Sequence, residues 1–63
     1  MEKYVFDLQS YDRILINDDV VIIDCFIAIS DDVIGIDGYF EDSGDSFFGV
    51  FDYNDSVKMA RNS

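Results

Sequence analysis

Carboxylates are the most numerous groups in this sequence that could do chemistry. The chain has 63 residues, with fourteen acids against four bases, and it contains no histidine. Two carboxylates at the right separation can act as general acid and general base, as in glycoside hydrolysis. Such catalysis also needs a cleft that holds the substrate, and a chain this short rarely encloses one. Because the commonest proton-transfer side chain is missing as well, the composition argues against an enzyme.

Cys25 is the second candidate for chemistry. A cysteine nucleophile needs a nearby base or cation that lowers its pKa. The chain's one cysteine cannot form an internal disulfide, and there is no cluster of cysteine and histidine for zinc. Cys25 lies in the middle of an isoleucine-rich run, where free cysteine commonly behaves as a small buried hydrophobe. We therefore expect a core residue that thiol reagents label slowly in the folded protein.

Two Asp-rich segments, residues 17–19 and 41–45, contain enough oxygen atoms to attract calcium. Calcium takes several oxygen ligands from one compact loop, but neither segment has the spacing of an EF-hand. Aspartate and glycine are also the common residues of tight turns. We expect solvated hairpin turns that bind calcium weakly at most, and we predict no cofactor and no metal centre. The dispersed glycines form no phosphate-binding loop.

Short strands must position these groups. The apolar residues are mostly β-branched or aromatic and occur in short runs between Asp-rich segments, which is typical of antiparallel β-structure. We predict a single domain over residues 1–63, all-β, with a small five-stranded antiparallel sheet that is curled or barrel-like. The predicted strands are residues 3–8, 12–16, 20–29, 33–40 and 46–53. The tail, residues 54–63, begins with helix-capping residues, and a short C-terminal helix there would make the fold α+β.

The hairpin connections predict which side chains share a face of the sheet. We assume two-residue turns at Asp18-Asp19 and Asp31-Asp32 and a four-residue loop over 42–45. One face is then a core that carries Ile14, Ile16, Val21, Ile23, Cys25, Ile27, Ile29, Ile34, Ile36, Phe40, Phe47, Phe51 and Tyr53. The second face carries Arg13, Leu15, Ile22, Asp24, Phe26, Asp37, Tyr39, Phe48, Val50 and Asp52. A single sheet cannot cover its own core, so we expect closure into an SH3-like or OB-like barrel, or a cover formed by the tail helix or a second subunit.

The net charge of −10 at pH 7 exceeds what solubility requires. It repels nucleic acid and anionic membranes and favours a basic protein partner. Side chains on one face of a strand repeat about every 6.6–6.8 Å, a spacing comparable to that of successive phosphates along a nucleic-acid strand. We predict a partner-binding surface in which carboxylates replace phosphates and aromatic rings anchor the contact. Its residues are Asp24, Asp37, Asp52, Phe26, Tyr39 and Phe48.

In size and charge the chain resembles the DNA-mimic inhibitors that phages and other mobile elements make against glycosylases, restriction enzymes or CRISPR effectors. The resemblance lies in composition and not in a motif. It implies a non-catalytic inhibitor that blocks a nucleic-acid-binding protein or nuclease. The unpaired cysteine and the lack of a signal-peptide pattern favour the cytoplasm, that of the host cell for a phage protein. The alternative is an accessory or structural module that self-associates, for example as a homodimer, or pairs through its apolar second face.

Overall fold

The structure is a computed structural model that describes residues 1–60. Its strands are β1 (Glu2–Tyr4), β2 (Arg13–Ile16), β3 (Asp19–Ala28), β4 (Val33–Phe40), β5 (Ser46–Asp52) and β6 (Ser56–Met59), and a 3-10 turn (Val5–Asp7) follows β1. All six strands form one antiparallel sheet in the order β1-β6-β2-β3-β4-β5. The all-β prediction is confirmed. The predicted barrel is wrong, because β1 and β5 are separate edges of an open sheet within the described residues.

The C-terminal segment forms a strand and not the predicted helix. β6 pairs with β1 on one side and with β2 on the other. Val5 N–H donates to the Asp55 carbonyl at 2.8 Å, and Ala60 N–H donates to the Arg13 carbonyl at 2.9 Å, which extends both ladders. An isolated helix of this length is marginal, whereas a strand between two others satisfies its backbone groups and buries Val57. Residues 61–63, the end of the predicted helix, lie outside the described residues.

The N-terminal segment covers the core face of the sheet. Of the predicted strand 3–8, only Lys3 and Tyr4 belong to β1, and the chain then turns so that Val5 and Leu8 join the buried cluster. This cluster lies on one face, where Ile14, Val21, Ile23 and Ile36 are completely buried. Around it pack the partly buried side chains of Ile16, Phe26, Ile34, Phe40, Phe47, Phe51 and Met59. The apolar face of an open sheet is thus buried without barrel closure.

Two of the hairpins differ from the predicted register by an even number of residues. The β2–β3 turn consists of Asn17 and Asp18, with φ of 51° and 68°, and not of Asp18-Asp19. Asparagine and aspartate tolerate the left-handed conformation that such a tight turn needs. In the β4–β5 hairpin, Tyr39 lies opposite Ser46, which was predicted to pair with Glu41. Because side chains alternate with a period of two, these shifts leave the assignment of faces unchanged.

The β3–β4 hairpin contains a β-bulge that does change the faces. Ile23 lies opposite Gly38 whereas Cys25 lies opposite Asp37, so Asp24 is an extra residue in β3. The connection between the strands also has four residues, 29–32, and not the predicted two. Together these differences place the side chains of the C-terminal half of β3 on the faces opposite to the predicted ones. The side chains of its N-terminal half keep their predicted faces, so Ile23 stays in the core.

The inversion and the longer connection correct the predicted placement of four residues. Phe26 lies opposite Ile36 and packs against the core, although it was predicted on the second face. Cys25 and Ile27 were predicted in the core but lie on the second face, where both are exposed. Ile29, also predicted in the core, is exposed in the connection after β3. The second face is therefore more apolar than the sequence indicated.

Candidate functional site

The second face carries a compact group of exposed apolar side chains. Ile27 on β3, Ile29 after it, and Phe48 and Val50 on β5 are each between 44% and 57% exposed. Ile27 and Val50 flank Gly35 of β4 directly. The Phe48 ring lies across Gly35, since a Cβ placed there would come within 2.8 Å of the ring and within 3.3 Å of Ile29. We call these four side chains the apolar patch.

Carboxylates border the apolar patch. Asp37 lies opposite Phe48 on one side and opposite Cys25 on the other. The bulge brings Asp24 to the same place, because ligand atoms of Asp24, Cys25 and Asp37 all lie within 4.8 Å of one another. At the other end of the patch, Asp52 follows Val50 by two residues on the same face of β5. A basic partner that covers the apolar patch would therefore meet carboxylates at both ends of the patch.

Five of the six predicted partner-binding residues lie on this face. Besides Asp24, Asp37, Asp52 and Phe48, Tyr39 lies there with 40% of its surface exposed. Phe26 does not, for the reason given above. Ile27 and Ile29 were missed, because their position depends on the bulge and on the length of the connection after β3, which the alternation of apolar and polar residues does not reveal. Whether these residues bind a partner stays a prediction.

Cys25 lies among acids and not among isoleucines. Its Sγ is 3.8 Å from Oδ2 of Asp37, to which it donates a hydrogen bond. Partial desolvation raises the pKa of the Cys25 thiol, and the negative charges of Asp37 and Asp24 raise it further. The thiol thus keeps its proton at neutral pH, whereas nucleophiles and metal ligands need the thiolate. These three residues form the one group of three potential metal ligands within residues 1–60, and the Asp-rich turns 17–19 and 41–45 form none.

Acidic and basic residues are segregated along the sheet. The sequence from Ile14 to Val57 contains eleven acids and no lysine or arginine. This stretch includes all of β3, β4 and β5 with their connections, which we call the acidic half. The described bases, Lys3, Arg13 and Lys58, lie on β1, β2 and β6. The excess charge of the protein is therefore concentrated on the half of the sheet that carries the apolar patch.

Arg13 forms an ion pair with Glu41, which follows β4. Its Nε donates to Glu41 Oε2 at 2.8 Å and its second terminal nitrogen donates to Oε1 at 2.9 Å. This bidentate hydrogen bond raises the pKa of Arg13 and lowers that of Glu41. The two-residue turn predicted at Asp18-Asp19 would place Arg13 opposite Asp24, but Arg13 lies opposite Ile22. Lys3 pairs with Asp12 at 3.6 Å, away from the acidic half.

The carboxylates of the second face lie on an open sheet surface. A cleft of the structure lies elsewhere, between the start of β3 and the β4–β5 loop, and its lining includes Asp19, Phe40 and Asp42 but neither Asp24 nor Asp37. Within residues 1–60, no helix is long and apolar enough to cross a membrane. No protein-family model and no curated protein matches the sequence. Function has to be inferred from the surface of the molecule.

Proposed function

We propose that this protein is a non-catalytic inhibitor that binds a basic, nucleic-acid-binding protein through its second face. One observation carries the proposal: Asp24 and Asp37 border an exposed apolar patch in a half of the sheet that has no basic residue. Contiguous apolar patches larger than a few hundred Å² are rare on monomeric soluble proteins, and those with a polar rim typically mark interaction sites. A basic groove that normally holds nucleic acid has the complementary charge.

The carboxylates and the apolar side chains have separate roles in this proposal. The acids attract the partner over long range and raise the association rate, and at contact they accept hydrogen bonds from lysine or arginine in place of phosphates. Exposed side chains such as Phe48 and Tyr39 supply most of the affinity, because buried aromatic anchors dominate the energetics of interfaces. Charge thus brings the partner to the surface, and apolar burial holds it there.

Two observations favour binding over catalysis. The thiol of Cys25 keeps its proton beside Asp37 and Asp24, so the most nucleophilic side chain of the face is not activated. The same carboxylates lie on an open surface, where a substrate would not be enclosed and kept from water. In this proposal the protein needs no cofactor, and it acts as a phage or mobile-element product in the cytoplasm of the host cell, against a nuclease or another nucleic-acid-binding protein.

The proposal is tested by capture followed by competition. The immobilised protein is exposed to bacterial lysate at low and at high salt, and each captured protein is purified and titrated against it in the presence of DNA or RNA. We expect a basic nucleic-acid-binding protein whose binding weakens with salt and is displaced by nucleic acid. Binding that ignores both salt and excess nucleic acid would contradict the proposal. Recovery of the protein's own copies alone would favour the self-associating module.

Variants of the second face separate the two roles. Asp37→Asn with Asp52→Asn should slow association severalfold and flatten its salt dependence. Phe48→Ala or Tyr39→Ala should speed dissociation, with a loss of about 1–3 kcal/mol if that ring is an anchor. Phe6→Ala is the matched control, because Phe6 and Phe48 are equally exposed, at 55%, and Phe6 lies in the N-terminal turn. If Phe6→Ala weakened binding and Phe48→Ala did not, the second face would not be the binding surface.

A further inference from the structure

Within residues 1–60, the backbone groups on the outer edge of β5 have no strand beside them to bond. Phe40 N–H donates to the Asp45 carbonyl at 2.9 Å, and Tyr53 N–H donates to the Asp32 carbonyl at 3.0 Å, so bonded pairs flank the ladder at both ends. Residues of an antiparallel strand bond the partner strand at every second position only. The odd-numbered residues of β5 therefore bond β4, and the N–H and C=O groups of Ser46, Phe48 and Val50 point outward.

The side chains at these same positions belong to the second face. Phe48 and Val50 are members of the apolar patch, and Asp52 follows them. The outward N–H of Asp52 already donates to the Asp55 carboxylate at 3.2 Å, which ends the free edge. On the opposite side of β5, the partly buried rings of Phe47 and Phe51 lie beside the edge. An added strand would have acids and the apolar patch on one side and these two rings on the other.

The β5 edge lacks most of the features with which proteins protect exposed strands. It is seven residues long, has no proline or lysine, and pairs with β4 without a bulge, whereas the opposite edge strand, β1, has three residues. The protective feature that this edge does have is negative charge. A second copy brings the same charge of −10 to the edge and is repelled, while a basic strand is attracted. The protection of this edge is therefore selective for the charge of the partner.

We infer that the partner adds an extended segment to the edge of β5, in which lysine or arginine alternates with apolar residues. The inference rests on the proposed function and names how the partner is recognised. Main-chain hydrogen bonds to Phe48 and Val50 hold the strand, as in other cases of β-strand addition. The aliphatic stems of its basic residues pack on the apolar patch, and their charged heads reach Asp37 and Asp52. Its apolar residues contact Phe47 and Phe51.

The test uses a synthetic peptide in which lysine alternates with valine. One control has the same composition with its lysines and valines in separate blocks, and another is N-methylated at alternate amides, which removes backbone donors and keeps the charge. We expect either change to weaken binding about tenfold or more, which for the N-methylated peptide corresponds to the loss of one or two hydrogen bonds. Hydrogen exchange at the amides of Phe48 and Val50 should slow about tenfold or more when the alternating peptide binds.

A proline variant tests the same edge from the side of the protein. Val50→Pro removes an outward N–H and leaves the bonds to β4, and proline is tolerated at such edge positions. Its matched control is Glu2→Pro on the other edge strand. Val5 N–H donates to the Asp55 carbonyl and Met59 N–H donates to the Met1 carbonyl, so the odd-numbered residues of β1 bond β6 and the N–H of Glu2 faces outward. Val50→Pro should weaken the peptide about tenfold, and Glu2→Pro should not. If Val50→Pro does not fold, the exchange measurement on the unaltered protein decides.

The outcomes distinguish this inference from the proposed function. Peptide binding that leaves the exchange of Phe48 and Val50 unchanged, or that tolerates N-methylation, overturns strand addition, and so does the absence of peptide binding. In each case the competition between nucleic acid and the captured protein still tests the proposed function separately. Concentration-dependent protection of these amides without peptide, together with a dimer in sedimentation, would assign the edge to a second copy and also overturn the inference.

Discussion

At the scale of single residues, Cys25 shows how one neighbouring residue changes the chemistry of a side chain. The extra residue Asp24 moves Cys25 from the core face to a position opposite Asp37. There the thiol is exposed, but desolvation and two carboxylates raise its pKa. Reactive cysteines are usually exposed, but the exposed thiol of Cys25 has a raised pKa and is therefore weakly reactive at neutral pH.

Thiol labelling tests this placement. A thiol reagent should modify Cys25 in the native protein without unfolding, and the rate should rise toward alkaline pH, because the thiolate reacts and the pKa of this thiol is raised. Asp37→Asn removes a charge and a carboxylate acceptor, so the pKa should fall and labelling at neutral pH should be severalfold faster. Asp52→Asn, on the same face but opposite Val33, is the control and should leave the rate unchanged. Labelling that requires unfolding would instead place Cys25 in the core.

At the scale of elements, the bulge in β3 depends on a close approach of two backbones. Gly38 lies opposite the bulged segment, and a Cβ there would be 2.2 Å from the carbonyl oxygen of Ile22. That oxygen belongs to the backbone and cannot rotate away as a side chain would. Glycine at position 38 therefore permits the bulge, and the bulge in turn decides which side chains of β3 lie on the second face.

Alanine substitutions of two glycines measure this dependence. Gly38→Ala should lower the free energy of unfolding by about 3 kcal/mol, at the upper end of what overpacking costs. Gly44→Ala is the control, because no atom lies within 4 Å of its Cβ position and only its φ of 77° opposes a side chain, which costs about 1 kcal/mol. Urea denaturation of the three proteins gives both differences. Equal losses would mean that crowding at Gly38 is relieved by a shift of the strands.

At the scale of the whole molecule, the charge acts over the full length of the protein. The molecule measures 33 by 24 by 19 Å, comparable to the Debye length of about 30 Å at 0.01 M salt. At low salt each acid of the acidic half is therefore repelled by most of the others. The ion pairs Arg13–Glu41 and Lys3–Asp12 offset little of this, since exposed pairs contribute weakly. This repulsion lowers the stability of the protein, and the basic partner proposed above would relieve it.

Salt should consequently stabilise the protein. Between about 0.01 M and 1 M potassium chloride, the free energy of unfolding in urea should rise by on the order of 1 kcal/mol as repulsion is screened. Asp31→Asn with Asp42→Asn, both in connections of the acidic half, should raise stability at low salt and reduce this salt dependence. Asp12→Asn, which removes the partner of Lys3, is the matched control and should not stabilise the protein. A stability that falls as salt is added would mean that ion pairs outweigh the repulsion.

The sequence by itself determined the central strands, the charge and most of the candidate surface. The predicted strand 33–40 coincides with β4, and those over 20–29 and 46–53 differ from β3 and β5 by one residue at their ends. Alternation of apolar and polar residues is a local property, so it survives wherever the strand packs. For the same reason Asp37, Tyr39 and Phe48 were placed on one face correctly, since both strands of their hairpin follow the pattern without a bulge.

Only the tertiary structure decided the faces of β3, the strand at the C terminus and the cover of the core. One extra residue, Asp24, inverts every side chain that follows it in β3, and no local pattern reveals where a ladder slips. β6 is extended because β1 and β2 lie on either side of it, and Val5 is buried because the sheet leaves its core face open. These features depend on contacts between residues far apart in the chain, which a pattern of neighbouring residues does not contain.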